Sequence, residues 1–390
     1  MPGDKVAARW GDAGFTHTLA EINWTASIAV LLYLNERTTG DPARNWVTSW
    51  MHRWFVGDNL RVLVLGCGEG WLERVIATWP FVDRIDAVDL SAEAIERAKA
   101  QAPPQISYSV ADLNRDALPE NAYDVVVAHM ILHHIEDLEH AYAQIERTMK
   151  RDATLVINEY TGPNRFQFSD AVEGYINELL ACLPARLRRS ALDPAKTYER
   201  KERPPLQQMI DLDPSEAVRS EEVMPLLRER FEVLDECAMG GTLLHHLMYD
   251  IAPNFHFDSP KERSMVELMC ERENDLLRNG AIASDFLIAA ARKRGSSVRM
   301  ANRPLPPRPK EALDVDRDPL WSGPSSGLRP RIARILLASR QPKRANLFAE
   351  NPVAAALARF RPADLRDRFD RADEDDAALL ALLDAINSAR

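Results

Sequence analysis

The chain is expected to fold as an α/β protein, a mostly parallel sheet sandwiched by helices. Two observations lead there. Between residues 60 and 160, five short apolar segments alternate with three helical ones, and such alternation builds parallel strands covered on both faces. The turn Gly66-Cys67-Gly68-Glu69-Gly70 sits where the first strand gives way to the first helix. The chain has 390 residues, 46% of them hydrophobic and 28% charged. That is a globular composition, long enough for one large domain with additions or for two domains.

The elements follow in chain order. Residues 15–56 read as two helices. The first, over 23–35, carries Trp24, Ile28, Leu31, Leu32 and Tyr33. The second is expected to begin with Asp41 as N-cap and Pro42 in the first helical position, both favoured there. Its Trp46, Val47, Trp50, Met51, Trp54 and Phe55 form an aromatic face. Such a face is ordinarily core, and these helices would also roof the site. Strands are placed at 61–65, 84–88, 106–110, 124–128 and 154–159, and helices at 69–79, 92–101 and 138–149. A helix near 221–230 and strands at 231–237 and 285–291 complete the sheet. The map is an N-terminal helical cap (1–57), the sheet domain (58–295) with insertions at 161–219 and 243–280, a Pro-rich linker (296–310) and a helical C-terminal extension (311–390). Helical periodicity in that extension covers 329–339, 352–360 and 375–389.

The glycines have a physical reason. The chain must bend sharply there and let a ligand approach bare backbone, and the N–H groups of a starting helix favour a polar ligand. The next strand ends in Asp89, 19 residues past Gly70 (89 − 70). An acid at that strand end can take the two hydroxyls of a ribose. Asp89, Asp112, His129 and Glu159 all fall at the carboxyl ends of strands, where ligands of open sheets bind.

The stretch Val62-Leu-Val-Leu-Gly-Cys-Gly-Glu-Gly70 resembles motif I of the class I S-adenosylmethionine-dependent methyltransferases. Asp89-Leu-Ser91 resembles that family's ribose-binding acid, and Val110-Ala-Asp-Leu-Asn114 its adenine-contacting loop. Tyr123-Asp-Val-Val-Val-Ala-His-Met-Ile-Leu-His-His-Ile135 resembles its fourth strand and the loop after it. The resemblance covers roughly residues 60–160. It implies seven strands with the last antiparallel and S-adenosyl-L-methionine as cofactor. The cofactor would be held by Gly66, Cys67, Gly68, Gly70, Asp89, Leu90, Asp112, Leu113 and His129. The family often carries an acid two residues before the first glycine; here that residue is Val64.

Methyl transfer to a hydroxyl needs alignment and help in removing a proton. His133 and His134, in the loop after the fourth strand, are the candidate bases, since an imidazole titrates near neutrality; the alternative is a structural histidine of that loop. Glu159, at the end of the fifth strand, could orient the acceptor or accept a proton. His245 and His246 either line the acceptor pocket or cap a helix. The basic run from Arg186 to Arg203 is either a solvated surface or an electrostatic gate for an anionic acceptor. No His/Glu spacing matches a metal site, so no metal is expected.

Composition excludes other classes. The net charge of −10 argues against a general nucleic-acid binder. No apolar run approaches the ~20 residues of a membrane helix, and no signal peptide is expected. Four unpaired cysteines suit a reducing, cytoplasmic protein. The expected function is methyl transfer to a small-molecule acceptor, a sugar or natural-product hydroxyl. The alternatives are a nicotinamide-dependent oxidoreductase, which the tight glycine spacing disfavours, and a non-catalytic cofactor-binding scaffold.

Overall fold

The computed structural model describes residues 2–304 and 374–387. The helices expected at 329–339 and 352–360 and the end of the Pro-rich linker lie outside them. Seven strands form one sheet: β1 Leu60–Leu65, β2 Val82–Asp89, β3 Ile106–Val110, β4 Tyr123–His129, β5 Met149–Tyr160, β6 Phe231–Gly240 and β7 Phe286–Lys293, in the order β3-β2-β1-β4-β5-β7-β6. β1 pairs in parallel with β2 and β4, while β7 runs antiparallel to both β5 and β6. The chain therefore leaves β1 in one direction for β2 and β3 and returns on the other side at β4. A crevice at such a reversal is where an open α/β sheet takes its ligand.

The described helices are α1 Pro2–Gly11, α2 Ala13–Ile22, α3 Ile28–Thr39, α4 Trp46–His52, α5 Trp71–Ile76, α6 Ala92–Ala100, α7 Leu138–Thr148, α8 Asp170–Cys182, α9 Leu206–Leu212, α10 Ser220–Arg230, α11 Leu244–Met248 and α12 Pro260–Arg278, with a further helix at Glu374–Asn387. The central strands are buried on both faces, and alternation sorts their side chains. Val62, Val64, Val125 and Val127 point to one layer with Leu72 and Ile76 of α5 and Ile95 of α6. Leu63, Leu65, Val126 and Ala128 point to the other, with Leu138 and Ile145 of α7 and Leu227 of α10. A continuous apolar run reads as a strand because both of its faces are covered.

The N-terminal region departs from expectation in three ways. α1 and α2 precede the two expected helices. The helix expected from residue 23 starts at Ile28, after a single 3-10 turn at Trp24–Ala26, and runs on to Thr39. The next helix starts at Trp46, not at Pro42. Asn45 is its cap, with Oδ1 accepting from the N–H groups of Val47 and Thr48 at 3.1 and 3.0 Å. Asp41 instead closes a turn, accepting from Ala43 N–H and pairing with Arg44, each at 3.0 Å. Trp50, Met51, Trp54 and Phe55 are buried core. The insertions pack as helices against this body. The helix Glu374–Asn387 lies on α8 and α12 with Leu379, Leu382, Leu383 and Ile386 buried.

Candidate active site

The glycine turn is locked before any ligand arrives. Gly66 and Cys67 donate their N–H groups to the Val88 carbonyl at 2.8 and 3.0 Å. Gly66, Gly68 and Gly70 have φ of 67, 51 and 78°, the left-handed region that glycine enters without cost. A Cβ on Gly66 would strike Ile131, and one on Gly70 would strike the Tyr108 hydroxyl. A Cβ on Gly68 would meet nothing within 4 Å, because its bare backbone faces open space.

That space is a cavity of about 1460 Å³. Gly66, Cys67 and Gly68 line it from the end of β1, Asp89 and Leu90 from β2, Asp112 and Leu113 after β3, and His129 from β4. Its far end is made by His134, Arg165 and Ser215, and its roof by Val6, Trp10, Gly14 and His17 of α1 and α2. Gly70, His133 and Glu159 are not in the lining. The roof therefore comes from two helices that the sequence reading missed, and the aromatic α4 does not reach the cavity. The available signal was Val6 and Trp10 at i, i+4 spacing, with Asp12 before Ala13. Asp12 caps α2 by accepting from Gly14 and Phe15 N–H groups.

Asp89 is fixed by backbone donors. Gly68 N–H reaches Oδ2 at 2.9 Å and Ser91 N–H reaches Oδ1 at 2.8 Å. Burial outweighs these bonds and raises its pKa. Asp112 accepts from Asn114 N–H at 3.0 Å and pairs with Arg115 at 2.7 Å. Burial pushes the Cys67 thiol up, so it stays neutral and inert. Val64 brings no charge to the cavity. Glu73 of α5 also lines it, fully buried with neither carboxylate oxygen hydrogen-bonded, and burial pushes its pKa up to about 7.

Glu159 organises the loop after β4. It is fully buried. Its Oε1 accepts from Ile131 and Leu132 N–H groups, each at 2.8 Å, and its Oε2 meets His133 Nδ1 at 2.7 Å. Burial alone would depress the His133 imidazole, but the hydrogen bond and charge of Glu159 outweigh it and hold the pKa above the usual histidine value. Burial and the His133 charge push His134 well below that value. Burial takes His129 down to about 4, and Asn158 Nδ2 donates to its Nδ1 at 2.8 Å. Glu216, also unforeseen, stands 3.8 Å from His133 Nε2.

The remaining candidates lie elsewhere. His245 and His246 sit in α11 among Tyr160, Phe166, Phe168 and Phe286, away from the cavity lining. The basic run is spent on internal partners and does not form a gate: Arg186 bridges Glu262 and Asp375 at 2.6 Å each, Arg188 pairs with Glu199, Arg200 with Glu173, and Arg203 with Asp170.

Residues 63–157 match the family described as a methyltransferase domain. The segment is a class I methyltransferase domain. An uncharacterised methyltransferase of Mycobacterium tuberculosis is 33% identical to this chain over 105 residues, 26% of this chain and 52% of the relative. The malonyl-acyl-carrier-protein O-methyltransferase of Halalkalibacterium halodurans is 30% identical over 111 residues, 27% of this chain and 40% of the relative. The chain spans about half the length of the curated relatives it matches. A crystal structure of an S-adenosylmethionine-dependent methyltransferase from Mesorhizobium loti aligns over 64% of this chain and 97% of that one, at 17% identity and a TM-score of 0.38. The family match supports S-adenosylmethionine rather than a nicotinamide as the cofactor.

Proposed function

We propose that the protein transfers the methyl group of S-adenosylmethionine to a hydroxyl oxygen of a small acceptor, a sugar or natural-product alcohol. One observation carries this. A single roofed cavity joins the glycine turn and Asp89 at one end to His134 and Ser215 at the other. Concave, largely apolar cavities with a few polar groups suit small molecules better than macromolecular surfaces. One relative is itself named an O-methyltransferase. We also place the protein in the cytoplasm, since its four cysteines show no disulfide-framework spacing along the sequence. No helix among the described residues is long and apolar enough to cross a membrane.

The residues fit the cofactor. Gly68 leaves bare backbone against open space, the room a ligand needs for close approach. Asp89 keeps unused lone pairs on both oxygens for ribose hydroxyls. Gly66, Cys67, Gly70 and Leu90 shape the turn around it, and Asp112, Leu113 and His129 complete the wall. When bound, S-adenosylmethionine supplies an electrophilic methyl group on a sulfonium. At the acceptor end, His134 faces the cavity while Glu159 positions His133 beside it, and this cluster activates the hydroxyl. The roof of α1 and α2 holds the acceptor in line.

The test is calorimetric titration of the whole protein with S-adenosylhomocysteine, with NADH in parallel. Micromolar binding of the former is expected. Asp89→Ala should weaken it ten- to hundredfold, the roughly 1.5–3 kcal/mol of hydrogen bonds to a charged group. Binding of NADH alone would reject the reading.

A further inference from the structure

Two imidazoles and a carboxylate meet at the acceptor end although the chain keeps them 82 residues apart (216 − 134). One nitrogen of His133, one of His134 and one oxygen of Glu216 lie within 4.8 Å of one another. Each is held from behind. Glu159 takes His133 Nδ1 at 2.7 Å, which turns Nε2 toward Glu216 Oε1 at 3.8 Å. That gap is too long for a hydrogen bond. It matches two donors sharing one ion, each about 2.0–2.2 Å from it. Ser215 Oγ meets His134 Nδ1 at 3.1 Å and is itself held by Asp213 Oδ1 at 2.6 Å.

The loop that carries Glu216 is fastened in place. Arg165 donates to the carbonyls of Asp213, Pro214 and Glu216 at 3.3, 2.6 and 2.9 Å. Val218 N–H donates to the His133 carbonyl at 3.1 Å. A polar group behind each imidazole is the support that histidine ligands ordinarily have. Around the cluster, Glu159, Glu216 and Asp213 oppose the guanidiniums of Arg165 and Arg9, so three negative charges face two positive ones.

We propose that His133, His134 and Glu216 bind one divalent transition-metal ion. Two imidazoles and one carboxylate leave coordination positions open, and His134 and Ser215 turn that side of the cluster to the cavity. An oxygen of the acceptor takes an open position. Bound there, a hydroxyl loses its proton to cavity water at a lower pH than when free, and the histidines serve as ligands rather than as bases. Ion binding stands on this geometry alone; the acceptor's role rests on the methyl-transfer reading. The absence of metal spacing along the sequence reflects only that Glu216 arrives through tertiary structure.

The whole protein, stripped with a chelator, is titrated with Co²⁺ and followed by visible absorption. One equivalent with a d–d band, displaced by Zn²⁺, is expected. In Glu216→Gln the band should vanish and affinity fall at least tenfold, while S-adenosylhomocysteine binding is unchanged. No band with the wild-type protein overturns the proposal, whatever the variants do. An unaltered band in Glu216→Gln overturns it as well, and His134→Gln repeats that arm should the first variant fail to fold. Because S-adenosylhomocysteine binding is read separately, loss of the metal site and loss of the methyl-transfer reading are distinguishable.

Discussion

Glu159 spends both carboxylate oxygens on three donors in a fully buried position, so its effect on activity is expected to run through the loop it holds. Glu159→Ala leaves two backbone N–H groups and an imidazole without partners. At about 1–3 kcal/mol for each unsatisfied group, chemical denaturation should show a loss of at least roughly 3 kcal/mol. A variant as stable as the wild type would show that the loop holds its own shape. Asp285 makes an independent prediction. It is buried beside Glu273 and Tyr160 with Oδ2 unpartnered, and burial pushes its pKa up to about 7 from 3.8. A raised carboxyl pKa means that the folded state holds the proton more tightly than the unfolded chain does. The stability from this group is therefore complete below pH ~4 and lost as pH rises through 7. Thermal melts of wild type and Asp285→Asn should converge at low pH and separate by pH 8, with the wild type lower. Parallel curves would refute this.

At the scale of elements, the glycine turn shows how position divides labour among like residues. Gly68 faces the cavity, whereas Gly70 is packed under the Tyr108 hydroxyl. Gly70→Ala should cost more than the ~1–2 kcal/mol of left-handed backbone alone, and Tyr108→Phe should restore part of the excess by removing the oxygen. Equal penalties with and without that hydroxyl would rule out the clash. This turn, β1, β2 and β4 were legible in the sequence because burial on both faces writes a local apolar run, and because Asp89 follows at a fixed spacing. α1 and α2 were not. Both are short, and the partners of α1 lie at Ser91 and Asp213, far along the chain. Glu216 was invisible for the same reason, since no spacing in the sequence joins it to His133. The N-terminus of α4 was misread because Asp41-Pro42 satisfies local rules for a cap, while Asn45 wins by accepting from two N–H groups at once.

For the whole molecule, the helix Glu374–Asn387 closes an apolar surface that α8 and α12 would otherwise expose. Leu379, Leu382, Leu383 and Ile386 are buried there, each aliphatic side chain worth about 1.5–3 kcal/mol. Removing residues 305–390 should lower the melting temperature and raise binding of an apolar dye. An unchanged melt would mean that this helix contributes little to the body it covers.

The pair α1–α2 touches both ends of the cavity. Gly11 lies close against Ser91, which is hydrogen-bonded to Asp89, and Trp10 Nε1 donates to Asp213 Oδ2 at 2.9 Å, where Asp213 holds Ser215. One short piece of chain thus borders both regions of the cavity. Affinities at the two ends should be linked, each ligand tightening the binding of the other by the same factor. Hydrogen exchange over residues 2–22 should slow when S-adenosylhomocysteine is added, and slow further with acceptor. Exchange that neither ligand alters would show that the first two helices keep time with neither.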